Sequence, residues 1–182
     1  MLIGQKVLLR PLERQDLSLL AAWRNDPEIR RHFFNPYPIT LSGQDKWYDA
    51  YLGRGDALLF IIQGKEGDKA LGSIGLDRID HRNQSAEYGR LLIADVADRQ
   101  QGYARDASIT LLRYAFTELN LNRVYLEVFA DNKAAIRLYE RCGFRREGTN
   151  RQAVFAGGRF RDILMMSILR CEFLARGEYQ GI

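Results

Sequence analysis

The sequence predicts a mixed α/β domain in which most strands run antiparallel to their neighbours. Three features carry that reading: a glycine-rich pair of apolar runs at 57–63 and 70–79, an alternation of strand, helix, strand, helix and strand over 86–156, and a change of hydrophobic period at Gly102. The chain of 182 residues suits a single domain, 1–182, with a core of its own.

In chain order, "KVLLR" (6–10) reads as a strand, and Pro11 limits its continuation. From Glu13 to Arg24 the residues Leu17, Leu20, Ala21 and Arg24 share one helical face, with Trp23 beside it. The three prolines of "NDPEIRRHFFNPYPIT" leave room for a short helix at most. Ser42 with Asp45 then resembles a cap for a helix over "GQDKWYDAYLG". "ALLFIIQ" and "ALGSIGLDRI", joined by "GKEGDK", form a hairpin, and "AEYGRLLIA" (86–94) is the next strand. Past Gly102, the residues Ala104, Ala107, Leu111, Leu112, Ala115 and Leu119 recur at three- and four-residue spacing, giving a helix that ends near Asn120. "RVYLEVF" (123–129) returns to strand, "NKAAIRLYERC" (132–142) is helical and stops at Gly143, and "RQAVF" and "RFRDILMMSIL" flank "AGG" as a closing hairpin.

The bulk properties narrow the function. A composition of 46% hydrophobic and 27% charged residues is that of an ordinary globular protein, and no segment approaches the roughly 20 apolar residues of a membrane span. With no signal-like start, a cytoplasmic location is expected. Two cysteines and two isolated histidines match neither a disulfide framework nor a metal site, so no metal is expected. A net charge of +4 without a basic run gives no reason to expect a nucleic-acid partner, and an anionic small ligand accounts for it as well.

"ADRQQGYARDA" places a glycine at a helix start, directly after a strand. Free backbone N–H groups and the positive end of the helix dipole there favour an anion. Gly102 lets a phosphate approach, Ala104 keeps the next turn narrow, and Arg99 and Arg105 add charge-assisted hydrogen bonds. The pattern is neither a P-loop nor a dinucleotide fingerprint, and a helix that merely happens to start with glycine would look the same. A second element strengthens it: "DNKAAIRLYERCGF" sets Asn132 at the end of the following strand and Tyr139 two turns into the next helix.

"RQQGYA", "VFADNKAAIRLYERCGF" and "GGRFRDILMMSIL", in this order, resemble the GNAT superfamily of acetyl-CoA-dependent N-acetyltransferases. The opening "VLLRPLERQDLSLLAAWRNDPEIRR" is similar to its branch of ribosomal-protein N-terminal and spermidine acetyltransferases. Ala104 stands where many members have a second glycine. The resemblance implies that the strands at 86–94 and 123–129 are parallel and splay apart. The pantetheine arm of acetyl-CoA, the cosubstrate, would then pair with Leu91, Leu92, Ile93 and Ala94. Its pyrophosphate would lie on the amides from Gln101 through Gly102, Tyr103 and Ala104 to Arg105, with Arg99 nearby, and Asn132 would hydrogen-bond the arm.

The same resemblance implies direct attack of an amine on the thioester. A strand amide near Leu92 would stabilise the oxyanion. Tyr139 would protonate the departing sulfur, or else be a packed helical tyrosine. Glu87 would accept the amine's proton, or else be a surface carboxylate paired with Arg78 or Arg90. Asp77 and Asp80 read as loop charges. The acceptor pocket would be drawn from residues 23–47 and the Phe155–Phe160 turn. Here "HFFNPYPITLSGQDKWYDAY" offers only Asp45 and Asp49 against a polyamine's charges. "WRNDPEIRRHFFNPYPITLSGQDKWY" is instead similar to the opening of amino-sugar acetyltransferases of nucleotide-sugar pathways, with Trp23, Arg24, Arg30, Arg31 and Trp47 as contacts. The expected acceptor is therefore a small-molecule amine, first a nucleotide-linked amino sugar. Alternatives are a polyamine, a protein N-terminus, or binding of acyl-CoA without turnover. The tail "CEFLARGEYQGI" could contribute to a homodimer.

Overall fold

A single eight-stranded sheet, in the order β1-β2-β3-β4-β5-β6-β8-β7, runs through the computed structural model, which describes residues 1–177. The strands are β1 (Leu2–Ile3), β2 (Val7–Pro11), β3 (Leu58–Gly64), β4 (Ala70–Asp80), β5 (Ser85–Ile93), β6 (Arg123–Phe129), β7 (Arg145–Ala156) and β8 (Arg159–Leu169). The helices are α1 (Leu17–Asn25), α2 (Pro27–Arg30), α3 (Leu41–Leu52), α4 (Tyr103–Thr117), α5 (Lys133–Cys142) and α6 (Arg170–Ala175). Among the described residues, no helix is long and apolar enough to cross a membrane.

Alternation along β3 sorts the helices onto the two faces of the sheet. Phe60 and Ile62 point into a core shared with Leu111, Leu112, Ala115 and Phe116 of α4 and with Ile136 of α5. Leu59 and Ile61 point the other way, to Leu17 and Leu20 of α1 and Tyr48 of α3. Trp23 and Trp47 pack against this second cluster, and Trp47 stacks on Tyr51 at 5.4 Å.

Several boundaries differ from expectation for identifiable reasons. The first helix starts at Leu17, since both guanidinium ends of Arg10 donate to Asp16 at 2.7 Å while Asp16 accepts the Glu13 N–H, holding 14–16 as a 3-10 turn. The cap of α3 is Thr40, whose hydroxyl accepts the Gly43 N–H at 3.0 Å; Ser42 lies inside the helix. β7 begins at Arg145, six residues before "RQAVF".

All neighbouring strands are antiparallel except β5 and β6. That parallel pair is short: Ser85, Ala86 and Glu87 face Arg123, Val124 and Tyr125, and pairing then stops. A bulge at Arg90, which has φ +55°, interrupts the β4–β5 register between Gly75–Gly89 and Ser73–Leu92. Beyond Glu87 the outer half of β5 keeps only its β4 neighbour, and a gap opens in the middle of the sheet.

Candidate active site

The gap leads into a cavity of about 1050 Å³. Its walls include Tyr88–Ile93 of β5, Glu127 and Val128 of β6, the first turns of α4 and α5, and the segment from Glu28 to Asn35.

At one end, α4 starts at Gly102, which has φ +87° and leaves the helix without a side-chain cap. A Cβ there would find only Lys6 within 4 Å, so this glycine answers a left-handed backbone and not crowding. Asp106, an acid in the first turn, does not oppose an anion at this end. Its carboxylate is consumed by the N–H groups of Gln5, Lys6 and Val7 at 2.7–3.0 Å. The first amides of α4 have no intrahelical acceptor, and with the helix dipole they suit a phosphate. Arg99 does more than supply charge: it donates to the carbonyls of Ile93 and Ala94, fixing the end of β5.

Backbone direction along β5 revises one expected role. Ala94 donates to Leu71 on β4 at 2.9 Å, and N–H groups alternate sides along a strand, so the Leu92 amide also faces β4. The amides of Leu91 and Ile93 face the gap, and those of Leu92 and Ala94 do not. Asn132 caps α5 by accepting the Ala135 N–H at 3.2 Å, while its amide nitrogen lies 3.3 Å from His32 Nδ1.

Tyr139 stands on the cavity wall, its ring partly buried in an aromatic cluster. Tyr88 and Phe144 lie edge-on at 5.7 and 5.9 Å. Tyr88 is fixed in turn through Ser108, whose hydroxyl donates to Ala104 O at 2.6 Å and so accepts the Tyr88 O–H at 2.7 Å. The Tyr139 hydroxyl has no hydrogen-bond partner among the described residues, and burial raises its pKa, which keeps the proton on the oxygen.

The other end of the cavity carries carboxylates. Glu87 and Glu127 line it together with Asp77, which sequence reading assigned to a loop. Asp77 lies opposite Glu87 in the β4–β5 register, and Glu127 lies two residues past Glu87's neighbour on β6. Asp77 is shared by Arg90 at 2.7 Å and Arg54 at 3.1 Å, Glu87 meets the exposed Arg78 at 3.1 Å, and Glu127 has no ion pair among the described residues. Burial raises the Glu87 pKa, and the charges of Glu127 and Asp77 raise it further against the pull of Arg78. Asp80 is the last residue of β4 and accepts from Asn83 in the turn that follows.

The expected acceptor contacts divide. Arg24 lines the cavity, stacked over the Phe33 ring at 3.8 Å. Arg31 pairs with Glu28 at 2.9 Å and lines an adjoining hollow, and Arg30 lies outside both. Trp23 and Trp47 hold α1 and α3 to the sheet, as described above, and line neither. Gln101 and Tyr103 lie just outside the main cavity lining, and Arg105 lies in it. Phe155 and Phe160 pack edge to face at 5.2 Å beside the β7–β8 turn, exposed and away from the cavity.

The acetyltransferase (GNAT) domain family matches residues 6–145 of the chain. The chain belongs to the GNAT family. It is similar to the spermidine N(1)-acetyltransferase of Vibrio cholerae, 30% identical over 97% of this chain and 100% of that protein. The Escherichia coli K12 spermidine N(1)-acetyltransferase is 31% identical over 98% of the chain and 94% of its own length. The crystal structure of spermidine N-acetyltransferase from Vibrio cholerae in complex with CoA and spermine superimposes with a TM-score of 0.86 at 30% identity, covering 94% of this chain and 99% of that one. This GNAT protein is an acetyl-CoA-dependent N-acetyltransferase, and its mixed sheet with one parallel pair is the GNAT fold.

Proposed function

We propose that this acetyltransferase acts on a primary amine of an alkyl polyamine of the spermidine type. The observation that carries the reading is the cavity's carboxylate set, with Glu127 unpaired beside Glu87. Like charges held together at a cavity wall disfavour each other until a cation arrives, and a polyamine supplies several. The relatives named for spermidine point the same way. A nucleotide-linked amino sugar loses its support, because only Arg24 of the three expected arginines reaches the cavity.

In this reading the amides of Leu91 and Ile93 and the side chain of Asn132 hold the pantetheine arm, and Gly102 to Arg105 receive the pyrophosphate. Glu87 takes the proton of the bound ammonium, freeing the lone pair that attacks the thioester carbonyl. As the carbon–sulfur bond breaks, Tyr139 gives its proton to the sulfur, and the phenolate is reprotonated from solvent by way of the cavity. A cytoplasmic site of action belongs to the same reading.

The test is steady-state acetylation of spermidine followed by release of free CoA, beside a nucleotide-linked amino sugar. Spermidine is expected to react faster, and Glu127→Gln to raise its KM about tenfold with kcat little changed, the loss of roughly one charged contact. Faster acetylation of the sugar, or no turnover of spermidine, overturns the assignment.

A further inference from the structure

Arg24 is out of place in a cavity built only for polycations. Its guanidinium makes no hydrogen bond or ion pair among the described residues, and its Nε is buried without any acceptor. Burial and the neighbouring charge of Arg90 together lower its pKa to about 10. Three of the cavity's carboxylates are engaged by other arginines: Asp77 by Arg90 and Arg54, Glu28 by Arg31, Glu87 by Arg78. Its one partner is the Phe33 ring, which fixes the plane of the guanidinium and satisfies none of its donors. A half-buried guanidinium with its Nε buried and without an acceptor is costly to keep, and a planar fork of N–H groups matches a carboxylate. The phosphates of CoA do not answer this need, since their cradle is the start of α4, whereas Arg24 sits at the end of α1 beside Phe33 and Arg90.

We infer that Arg24 is an anion receptor inside the acceptor cavity, so that between two diamines of equal chain length this protein prefers the one that also carries a carboxylate, an α,ω-diamino acid. The inference rests on the reading of Glu87 and Glu127 as the cation-binding end of the same cavity. A diamino acid satisfies both ends: an ammonium group lies by the glutamates and the carboxylate accepts from the Arg24 fork. A plain diamine leaves Arg24 unsatisfied and adds a like charge to it.

Two matched pairs isolate the carboxylate: L-ornithine against putrescine, and L-lysine against cadaverine, with spermidine as a reference. The expected result is a kcat/KM at least about tenfold higher for the amino acid of each pair, as a charge-assisted contact supplies. Arg24→Gln is expected to reverse the preference, raising KM for the amino acids while improving the diamines, and Arg24→Lys to restore part of it. Unchanged CoA affinity and thermal midpoint verify that each variant is folded. If Arg24→Gln does not fold, the wild-type pairs decide the matter alone. Acetylation of spermidine and the diamines with no gain from the carboxylate overturns this inference and leaves the polyamine reading standing. Turnover of none of these amines overturns that reading and this inference with it.

Discussion

At the scale of single residues, chemistry here depends on which groups the fold leaves without partners. Tyr139 is held on three sides by the contacts among Tyr88, Phe144 and its own helix, yet its hydroxyl is unengaged, which suits a donor that acts only when a charge appears. A group that matters only as the carbon–sulfur bond breaks lowers the barrier and leaves ground-state binding alone. Tyr139→Phe is therefore expected to lose about 10²- to 10⁴-fold in kcat, with calorimetric affinity for CoA unchanged because the ring still fills its place. Turnover near wild type would return Tyr139 to packing, and loss of CoA binding would make it a positioning residue.

At the scale of elements, the start of α4 combines a left-handed glycine, an uncapped N-terminus and an acid diverted to the β1–β2 turn. A side chain at Gly102 costs about 1–2 kcal/mol in that backbone conformation. Strain relieved in the free variant by a shift of the turn would have to be restored on CoA binding. Gly102→Val should accordingly weaken CoA binding about 5- to 30-fold by calorimetry, and an unaltered affinity would place the phosphates elsewhere. This element was legible in sequence because its period, its glycine and the strand before it all lie within about 35 consecutive residues. β6 was equally plain, and its ends match the expected ones. β7 was read only from 151 because nearly all its side chains are exposed and show no alternation, and its pairing with β8 shifts register twice. The carboxylate end of the cavity was hidden for another reason. Glu87 was singled out in sequence, but Asp77 and Glu127 join it only through the register of three strands, and a search for acids near 23–47 could not find those two. Arg24 was found, but its lack of an acceptor is a property of packing alone.

At the scale of the whole molecule, the sheet is two blocks joined by a narrow seam. β1–β5 form one ladder and β6, β8 and β7 another, and between them only three residue pairs connect β5 to β6. The helices α4 and α5, which pack on each other, span the same divide on one face. The unpaired amides of β5 beyond Glu87 are the cost of holding the gap open, and in the proposed pose a pantetheine arm would satisfy them as a strand does. Binding in that pose would do more than fill a cavity, because it would tie the two blocks across their weakest line. Ligand at about 100 times its dissociation constant adds about 2.7 kcal/mol, and for a chain of this length that is a rise of roughly 5–10 °C in thermal midpoint. Hydrogen exchange locates the effect: the amides of Leu91 and Ile93 should slow more on addition of CoA than those of Leu92 and Ala94, whose partners on β4 are already in place. A midpoint unmoved by saturating CoA, or protection confined to the outer face of α4, would mean that the cosubstrate does not enter the gap between β5 and β6.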